Sequence, residues 1–165
     1  GGSISQANPE AFIAAFQMHL IANQKLSQAV ISNMKDSCFG RIINVLSTSV
    51  KVPINGLGVS NTIRGAVASW AKTLANELGP HGITVNNVLP GFTHTNRLTT
   101  LIANKAQTQN VSEEQIAKAM LSSVPAKRFG KAEEVANAIA FLCSPAAGYI
   151  NGVNVPVDGG RTGTL

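Results

Sequence analysis

Two serines and an arginine stand at a spacing that suits catalysis. Ser47 ends an apolar run, and Ser60 follows thirteen residues later in the stretch VSNTIRGAV. Arg64 comes one helical turn after Ser60, so the two side chains are neighbours on a helix surface. A hydroxyl both donates and accepts hydrogen bonds, whereas an arginine stays protonated and only donates them. His19 adds an imidazole, the side chain that most often serves as a general acid or base.

The elements that carry these residues alternate between helix and strand. Amphipathic helices are predicted from about residue 9 to 35 and from about 59 to 79. The runs RIINVLS and ITVNNVLP are typical of parallel strands buried on both faces, and NGVNVPV forms a third strand. Further helical segments cover about 96–124 and KAEEVANAIAFLC. This order predicts βαβ units and a layered α/β fold with a parallel sheet.

The predicted sheet brings the chemical groups to one edge. Ligands of open parallel sheets bind beyond the carboxyl ends of the strands. Ser47 lies at the end of one strand, and the loop PGFTHT follows the next. We therefore expect both to face the same crevice.

Composition narrows the functional classes. Hydrophobic residues make up 44% of the chain and charged residues 13%, which is typical of a well-packed globular domain. The net charge of +5 comes from scattered basic residues, so binding of nucleic acid is not expected. No apolar run is long enough to cross a bilayer. Cys38 and Cys143 are expected to be buried or idle thiols of a cytoplasmic protein, and no metal site is expected.

Several segments, taken in order, resemble a known family. GRIINVLS, ANELGPHGITVNNVLPGFTHT and RFGKAEEVANAIAFLCSPAAGYINGVNVPVDGG are similar to the short-chain dehydrogenase/reductase superfamily, in particular its 3-oxoacyl-carrier-protein reductase-like branch. The resemblance runs from Gly1 to about Gly160. It implies a Rossmann-like doubly wound parallel sheet, NAD or NADP as cofactor, and hydride transfer with a small carbonyl or alcohol substrate, such as a 3-oxoacyl thioester. It also implies a homo-oligomer, dimer or tetramer, built through the two long helices, with Phe16, Trp70 and Leu74 as candidate contacts.

The resemblance is to the later part of the family's sequence. Family members open with a strand, a T-G-x-x-x-G-x-G turn and a helix, and the 165 residues contain no such turn. GGSISQ resembles the residues that come directly after the family's N-N-A-G segment. We therefore expect a carboxyl-terminal portion of a longer protein, without the first β-α-β region. We also expect residues 1–165 alone to bind NAD(P) weakly and to be inactive.

The resemblance implies a catalytic set of Asn, Ser, Tyr and Lys, and this chain departs from it. The corresponding positions are His19, Ser47, Ser60 and Arg64, so only the serine at 47 is retained. A serine hydroxyl is a far weaker acid than tyrosine, whose ordinary pKa is about 10. Arg64 can still bond a ribose hydroxyl but cannot release a proton. Three interpretations stay open: an oxidoreductase with an altered site, a lyase or isomerase using His19 and Ser47, and a catalytically silent family member.

Further residues correspond to ligand contacts in the family. Cofactor contacts are implied for Arg64 and, in the PGFTHT loop, for Pro90, Gly91, Thr93 and Thr95, although that loop could instead only cap the next helix. Residues 96–124 correspond to a substrate lid within a single domain of residues 1–165. The apolar side chains of this segment could line an apolar pocket or serve internal packing, and both interpretations stay open. They are Leu98, Leu101, Ile102, Met120 and Leu121.

Overall fold

A parallel three-stranded sheet forms the centre of the computed structural model, which describes residues 2–164. The strands are β1 (Gly40–Val45), β2 (Ile83–Pro90) and β3 (Asn154–Val157), in the order β1-β2-β3. All pairings in this sheet are parallel. The carboxyl ends of the strands therefore lie at one edge, as predicted.

The helices follow the predicted order closely. Their bounds are α1 (Pro9–Phe16), α2 (Ala22–Asp36), α3 (Gly58–Leu78), α4 (Asn96–Gln109), α5 (Glu113–Ser122) and α6 (Ala132–Cys143). The side chain of Asn8 starts α1 by accepting a hydrogen bond from the backbone N–H of Glu10, at 2.9 Å. The long helix predicted from about 9 to 35 contains a feature that periodicity did not show, because one π-helical turn, Gln17–Ile21, joins α1 to α2.

Helices cover both faces of the sheet, which confirms the doubly wound α/β class. On one face, α2 contacts β1 and α3 contacts β2, and Ala71, Ala75 and Leu78 of α3 pack against Ile83 and Val85. On the other face, α6 contacts all three strands, and its Leu142 packs against Val88 of β2. Because side chains of a strand alternate between faces, β2 supplies both cores and is almost fully buried.

A row of asparagines crosses the sheet on the face covered by α2 and α3. Asn44 of β1 is in register with Asn87 of β2, which is in register with Asn154 of β3. The Nδ2 of Asn87 donates to Asn154 at 2.7 Å, and the Nδ2 of Asn44 donates to Asn87 at 2.9 Å. Asn23 of α2 extends the row by donating to Asn44 at 3.2 Å. The row satisfies polar groups that would otherwise be costly to bury.

Helices α4 and α5 pack on each other around a core of their own, formed by Leu98, Ile102, Ala106, Ile116 and Met120. The Oγ of Ser112 caps α5 by accepting a hydrogen bond from the backbone N–H of Gln115, and the Gln115 side-chain oxygen accepts one from the backbone N–H of Ser112. These two helices account for the segment predicted at about 96–124.

Several expectations need correction or refinement. Cys38 and Cys143 are both exposed free thiols, because each lies at the outer end of a helix and not in the core. Of the three candidate interface residues, Phe16 is exposed, whereas Trp70 and Leu74 are half-buried against the sheet core. In the part of the chain that the structure describes, no helix combines the length and apolar character needed to span a bilayer.

Candidate active site

A cleft of about 370 Å³ opens at the carboxyl ends of β1 and β2. Ser47 reaches it from the segment after β1, while Ser60 and Arg64 reach it from the first turns of α3. Helix α3 begins at Gly58, so Ser60 lies within its first turn and does not open it. The structure thus brings together three of the residues singled out by their spacing.

Arg64 holds two elements of the cleft together. Its Nε donates a hydrogen bond to Oγ of Ser60 at 3.2 Å, and its Nη1 donates to the carbonyl oxygen of Leu46 at 2.9 Å. The side chain is half-buried, and this burial lowers the pKa of Arg64, with the positive charge of Arg97 lowering it further. The guanidinium remains protonated at neutral pH, so it acts as a hydrogen-bond donor and a positive charge.

Ser47 is oriented by the backbone of the next turn. Its Oγ accepts a hydrogen bond from the backbone N–H of Ser49 at 3.2 Å, which caps a short 3₁₀ turn, Thr48–Val50. Because that oxygen acts as an acceptor here, the Ser47 hydroxyl hydrogen is available to a ligand in the cleft.

His19 lies beside the cleft and not in its lining. It is exposed on the π-helical turn and borders two neighbouring cavities. One, of about 580 Å³, is shared with Ser60, and the other, of about 170 Å³, is shared with Arg64 and Asn44. A π-helical turn often marks a functional site. The lone tyrosine, Tyr149, is fully exposed and does not line the cleft.

The PGFTHT loop forms the opposite wall of the cleft. Pro90, Gly91, Thr93 and Thr95 all line it. The Oγ1 of Thr93 donates to the Gly91 carbonyl at 3.3 Å, and the Oγ1 of Thr95 donates to the Thr93 carbonyl at 3.4 Å. Although Thr95 occupies the N-cap position of α4, its side chain makes no capping hydrogen bond. Both threonines of the loop therefore line the cleft, and the Thr95 side chain does not cap α4.

A glycine is required where this loop leaves β2. A Cβ atom on Gly91 would lie 2.6 Å from Cβ and 2.7 Å from Cα of Asp158, which comes directly after β3. Burial alone would raise the pKa of Asp158, but hydrogen bonds from Thr162 and from the backbone N–H groups of Gly160 and Arg161 outweigh it and lower that pKa. The carboxylate of Asp158 is thus engaged with the turn after β3.

Sequence patterns missed several residues of the cleft. Phe92, between an edge-on Phe129 ring and the guanidinium of Arg161, supplies an aromatic wall. Arg97, in the first turn of α4, adds a second guanidinium. In the sequence, only the position of Arg97 shortly after the PGFTHT loop could have indicated that it lines the cleft. Among the apolar residues of the lid-like segment, Leu101 lines the cleft, Ile102 and Met120 pack between α4 and α5, and Leu98 does both.

The fold and the cleft define a Rossmann-like α/β protein with a ligand site at the carboxyl edge of its sheet. A family described as enoyl-(acyl carrier protein) reductase matches residues 1–162. The NADPH-dependent reductase BacG of Bacillus subtilis (strain 168) is 33% identical over 158 residues, which are 96% of this chain and 61% of that protein. The 3-oxoacyl-[acyl-carrier-protein] reductase FabG of Haemophilus influenzae is 37% identical over 151 residues, 92% of this chain and 58% of that protein.

Solved structures agree with these relatives. YwfH, an NADPH-dependent reductase involved in bacilysin biosynthesis, superposes with a TM-score of 0.92 at 31% identity, covering 99% of this chain and 63% of that one. L-sorbose reductase from Gluconobacter frateurii, solved with NADPH and L-sorbose, gives 0.92 at 28% identity, with the same two coverages, 99% and 63%.

The chain belongs to the short-chain dehydrogenase/reductase superfamily, in its 3-oxoacyl-carrier-protein reductase-like branch. It spans less than two thirds of the length of each relative named above.

Proposed function

We propose that these residues belong to an oxidoreductase that transfers hydride between NAD or NADP and a small carbonyl or alcohol substrate, such as a 3-oxoacyl thioester. The observation that carries the proposal is the convergence of Ser47, Ser60 and Arg64 on one cleft at the carboxyl edge of the sheet. The relatives support it, because two of them are named as NADPH-dependent reductases and one as a 3-oxoacyl-carrier-protein reductase.

The polar groups of the cleft suit the nicotinamide end of such a cofactor. The guanidinium of Arg64 can donate to ribose and phosphate oxygens, and the hydroxyl oxygens of Thr93 and Thr95 can accept from the carboxamide and ribose groups, beside the backbone of Pro90 and Gly91. When bound, the cofactor supplies or accepts the hydride. The cleft residues suit only the nicotinamide end of the cofactor, because the 165 residues contain no glycine-rich turn for the pyrophosphate.

The serines orient a carbonyl oxygen in this proposal. The Oγ of Ser60 accepts the hydrogen bond of Arg64, which leaves its own hydrogen to donate to the substrate, and the hydroxyl of Ser47 donates from the other side. Neither hydroxyl is acidic enough to replace a tyrosine as proton donor, and Arg64 cannot release a proton. The proton then comes from water or, through the cavity that it shares with Ser60, from His19.

In an alternative function, the protein has the same fold but does not transfer hydride. The replacement of three of the family's four catalytic residues favours a silent family member or a lyase or isomerase using His19 and Ser47.

We also propose that residues 1–165 form a single domain, that residues 96–124 act as a substrate lid, and that the protein is cytoplasmic. The two free cysteines agree with a reducing compartment.

The test uses the protein as its source cell makes it, beside residues 1–165 alone. NADPH consumption with a 3-oxoacyl thioester should be measurable for the former and absent for the latter, and NADPH fluorescence titration should show weak binding by the shorter chain. No consumption with any carbonyl substrate, despite tight NADPH binding, would exclude the reductase and leave the silent binder or the lyase or isomerase. Tight binding by residues 1–165 would show that the cofactor site lies wholly within them.

We further propose that two copies pair through the face of the helical segment from α1 to α2. Ile13, Met18 and Leu26 are 55%, 69% and 68% exposed, which leaves three large apolar side chains of this segment in contact with solvent. A two-fold pairing would cover these side chains on both copies. Sedimentation should give a dimer or tetramer, and Leu26→Glu should shift it toward the monomer, whereas Leu101→Glu, on α4, should not. A monomer at high micromolar concentration would exclude the pairing.

A further inference from the structure

Two guanidinium groups line the cleft without an acidic partner. Arg64 reaches it from α3 and Arg97 from the first turn of α4, and the remaining lining residues are uncharged. Within residues 2–164, the only ion pair is between Arg128 and Glu134, so no carboxylate neutralises either cleft arginine. The nearest acidic residue by packing, Asp158 against Gly91, is engaged with the turn after β3.

The positive charge of half-buried Arg64 has no anionic partner, which costs free energy. Arg64 is half-buried, and the charge of Arg97 acts on it strongly enough to lower its pKa. Removing a cation from water and placing a like charge beside it both cost free energy, unless an anion compensates them. Two of the donors of Arg64 already bond to Ser60 and Leu46, whereas Arg97 is exposed to solvent and makes no hydrogen bond within residues 2–164. Arg97 is therefore the free donor of the pair.

Besides the arginines and the hydroxyl groups, the cleft has large apolar side chains. Phe92, Leu98 and Leu101 form one wall, and Val45 and Leu57 lie on the other side. A ligand that fills this cleft therefore has an apolar body as well as an anionic group.

We propose that the substrate of this site is a carbonyl compound that carries a free carboxylate, which Arg97 binds, on an apolar body. The inference rests on the proposed reductase function and narrows its substrate class. Arginine pairs with a carboxylate through two parallel hydrogen bonds, which fix orientation as well as affinity. Arg97 is a specificity-determining residue in this arrangement, while Ser47 and Ser60 remain beside the carbonyl oxygen. A neutral carbonyl compound lacks the anionic group, so it is the poorer ligand.

The experiment measures binding without cofactor. Hexanoate and its neutral counterpart hexanamide are titrated into the protein, and the shifts of backbone amide NMR signals give each Kd. Hexanoate should bind more tightly than hexanamide by about tenfold, and Arg97→Gln should remove that difference. Arg97→Lys should keep most of it. The matched control is Lys105→Gln, which removes the same charge from α4 at a residue outside the cleft.

Three results would overturn the proposal. The first is equal binding of hexanoate and hexanamide, and the second is an equal loss in Arg97→Gln and Lys105→Gln. The third is a shift caused by pyrophosphate but not hexanoate, together with weaker NADPH binding in Arg97→Gln, since the anion would then be a cofactor phosphate. Failure of the reductase function gives a different pattern, in which hexanoate binds through Arg97 but NADPH is not consumed with 3-oxohexanoate.

Discussion

Arg64 donates a hydrogen bond from Nε to Oγ of Ser60, one helical turn earlier, at 3.2 Å. The sequence resemblance implies that these two residues correspond to the tyrosine and lysine of the family, and in this chain they form a hydrogen-bonded pair. The bond fixes which way the Ser60 hydroxyl points, because its oxygen is used as an acceptor. If the correspondence holds, position 60 carries a hydroxyl that can donate a hydrogen bond but is a far weaker acid than tyrosine.

Restoring the acid should raise carbonyl reduction. We expect the triple change His19→Asn, Ser60→Tyr and Arg64→Lys to increase NADPH consumption with a 3-oxoacyl thioester by up to about 10²–10⁴-fold, the usual contribution of general acid catalysis. The assay uses the protein as its source cell makes it. The matched control carries Phe instead of Tyr at position 60, which has similar bulk but no hydroxyl. An equal gain in both variants would show that proton donation at position 60 does not limit the reaction.

Two glycines should respond in opposite ways to alanine. Gly91→Ala places a methyl group against Cα of Asp158 at 2.7 Å, so the two strand ends must separate, with an expected loss of about 1–3 kcal/mol in the free energy of unfolding. Gly65→Ala lies inside α3, where an added Cβ meets nothing within 4 Å, and should stabilise by about 0.5–1 kcal/mol. Urea denaturation measures both. Equal effects of the two changes would contradict the close packing at Gly91.

Removing the central asparagine of the row should destabilise the sheet. Asn87→Leu leaves the Nδ2 of Asn44 and the Oδ1 of Asn154 without their partner, at a cost of about 1–3 kcal/mol for each buried group left unpaired. Asn76→Leu, at an exposed position of α3, is the control and should change the unfolding free energy little. If thermal unfolding gives the same Tm for both variants, the row contributes nothing to stability.

The ion pair between Arg128 and Glu134 should make stability depend on pH in the acid range. Two hydrogen bonds from Arg128, at 2.6 and 2.7 Å, and one from the backbone N–H of Lys131, at 2.8 Å, lower the pKa of Glu134 to about 2. An unfolded glutamate titrates at about 4.3, so the unfolded chain binds more protons between these values. The contribution is therefore present above about pH 4.3 and is lost as the pH falls through about 2.

The contribution of the Arg128–Glu134 ion pair to the free energy of unfolding should be small and sensitive to salt, because both side chains are exposed to solvent. Thermal unfolding of the wild type and of Glu134→Gln, compared from about pH 2 to 6, should show a difference in Tm that shrinks with acid. Glu133→Gln is the neighbouring control. A difference in Tm that stays constant over this range would count against the ion pair.

The amino-acid sequence by itself determined the order of the elements and the edge at which the site lies. Helical and strand periodicities are local, and parallel strands put all their carboxyl ends together, so Ser47 and the PGFTHT loop had to meet. The spacing of Ser60 and Arg64 on one helix turn likewise required no knowledge of the rest of the fold.

Only the tertiary structure decided which distant side chains meet. Asn44, Asn87 and Asn154 form one row because strand register aligns them, and register depends on pairing between segments that are far apart in sequence. The π-helical turn moves His19 to the side of the cleft, which an ideal helical repeat does not show. Arg97 comes to face the same space as Arg64 through the packing of α4 beside the strand ends. These are long-range contacts, and no local pattern of residues contains them.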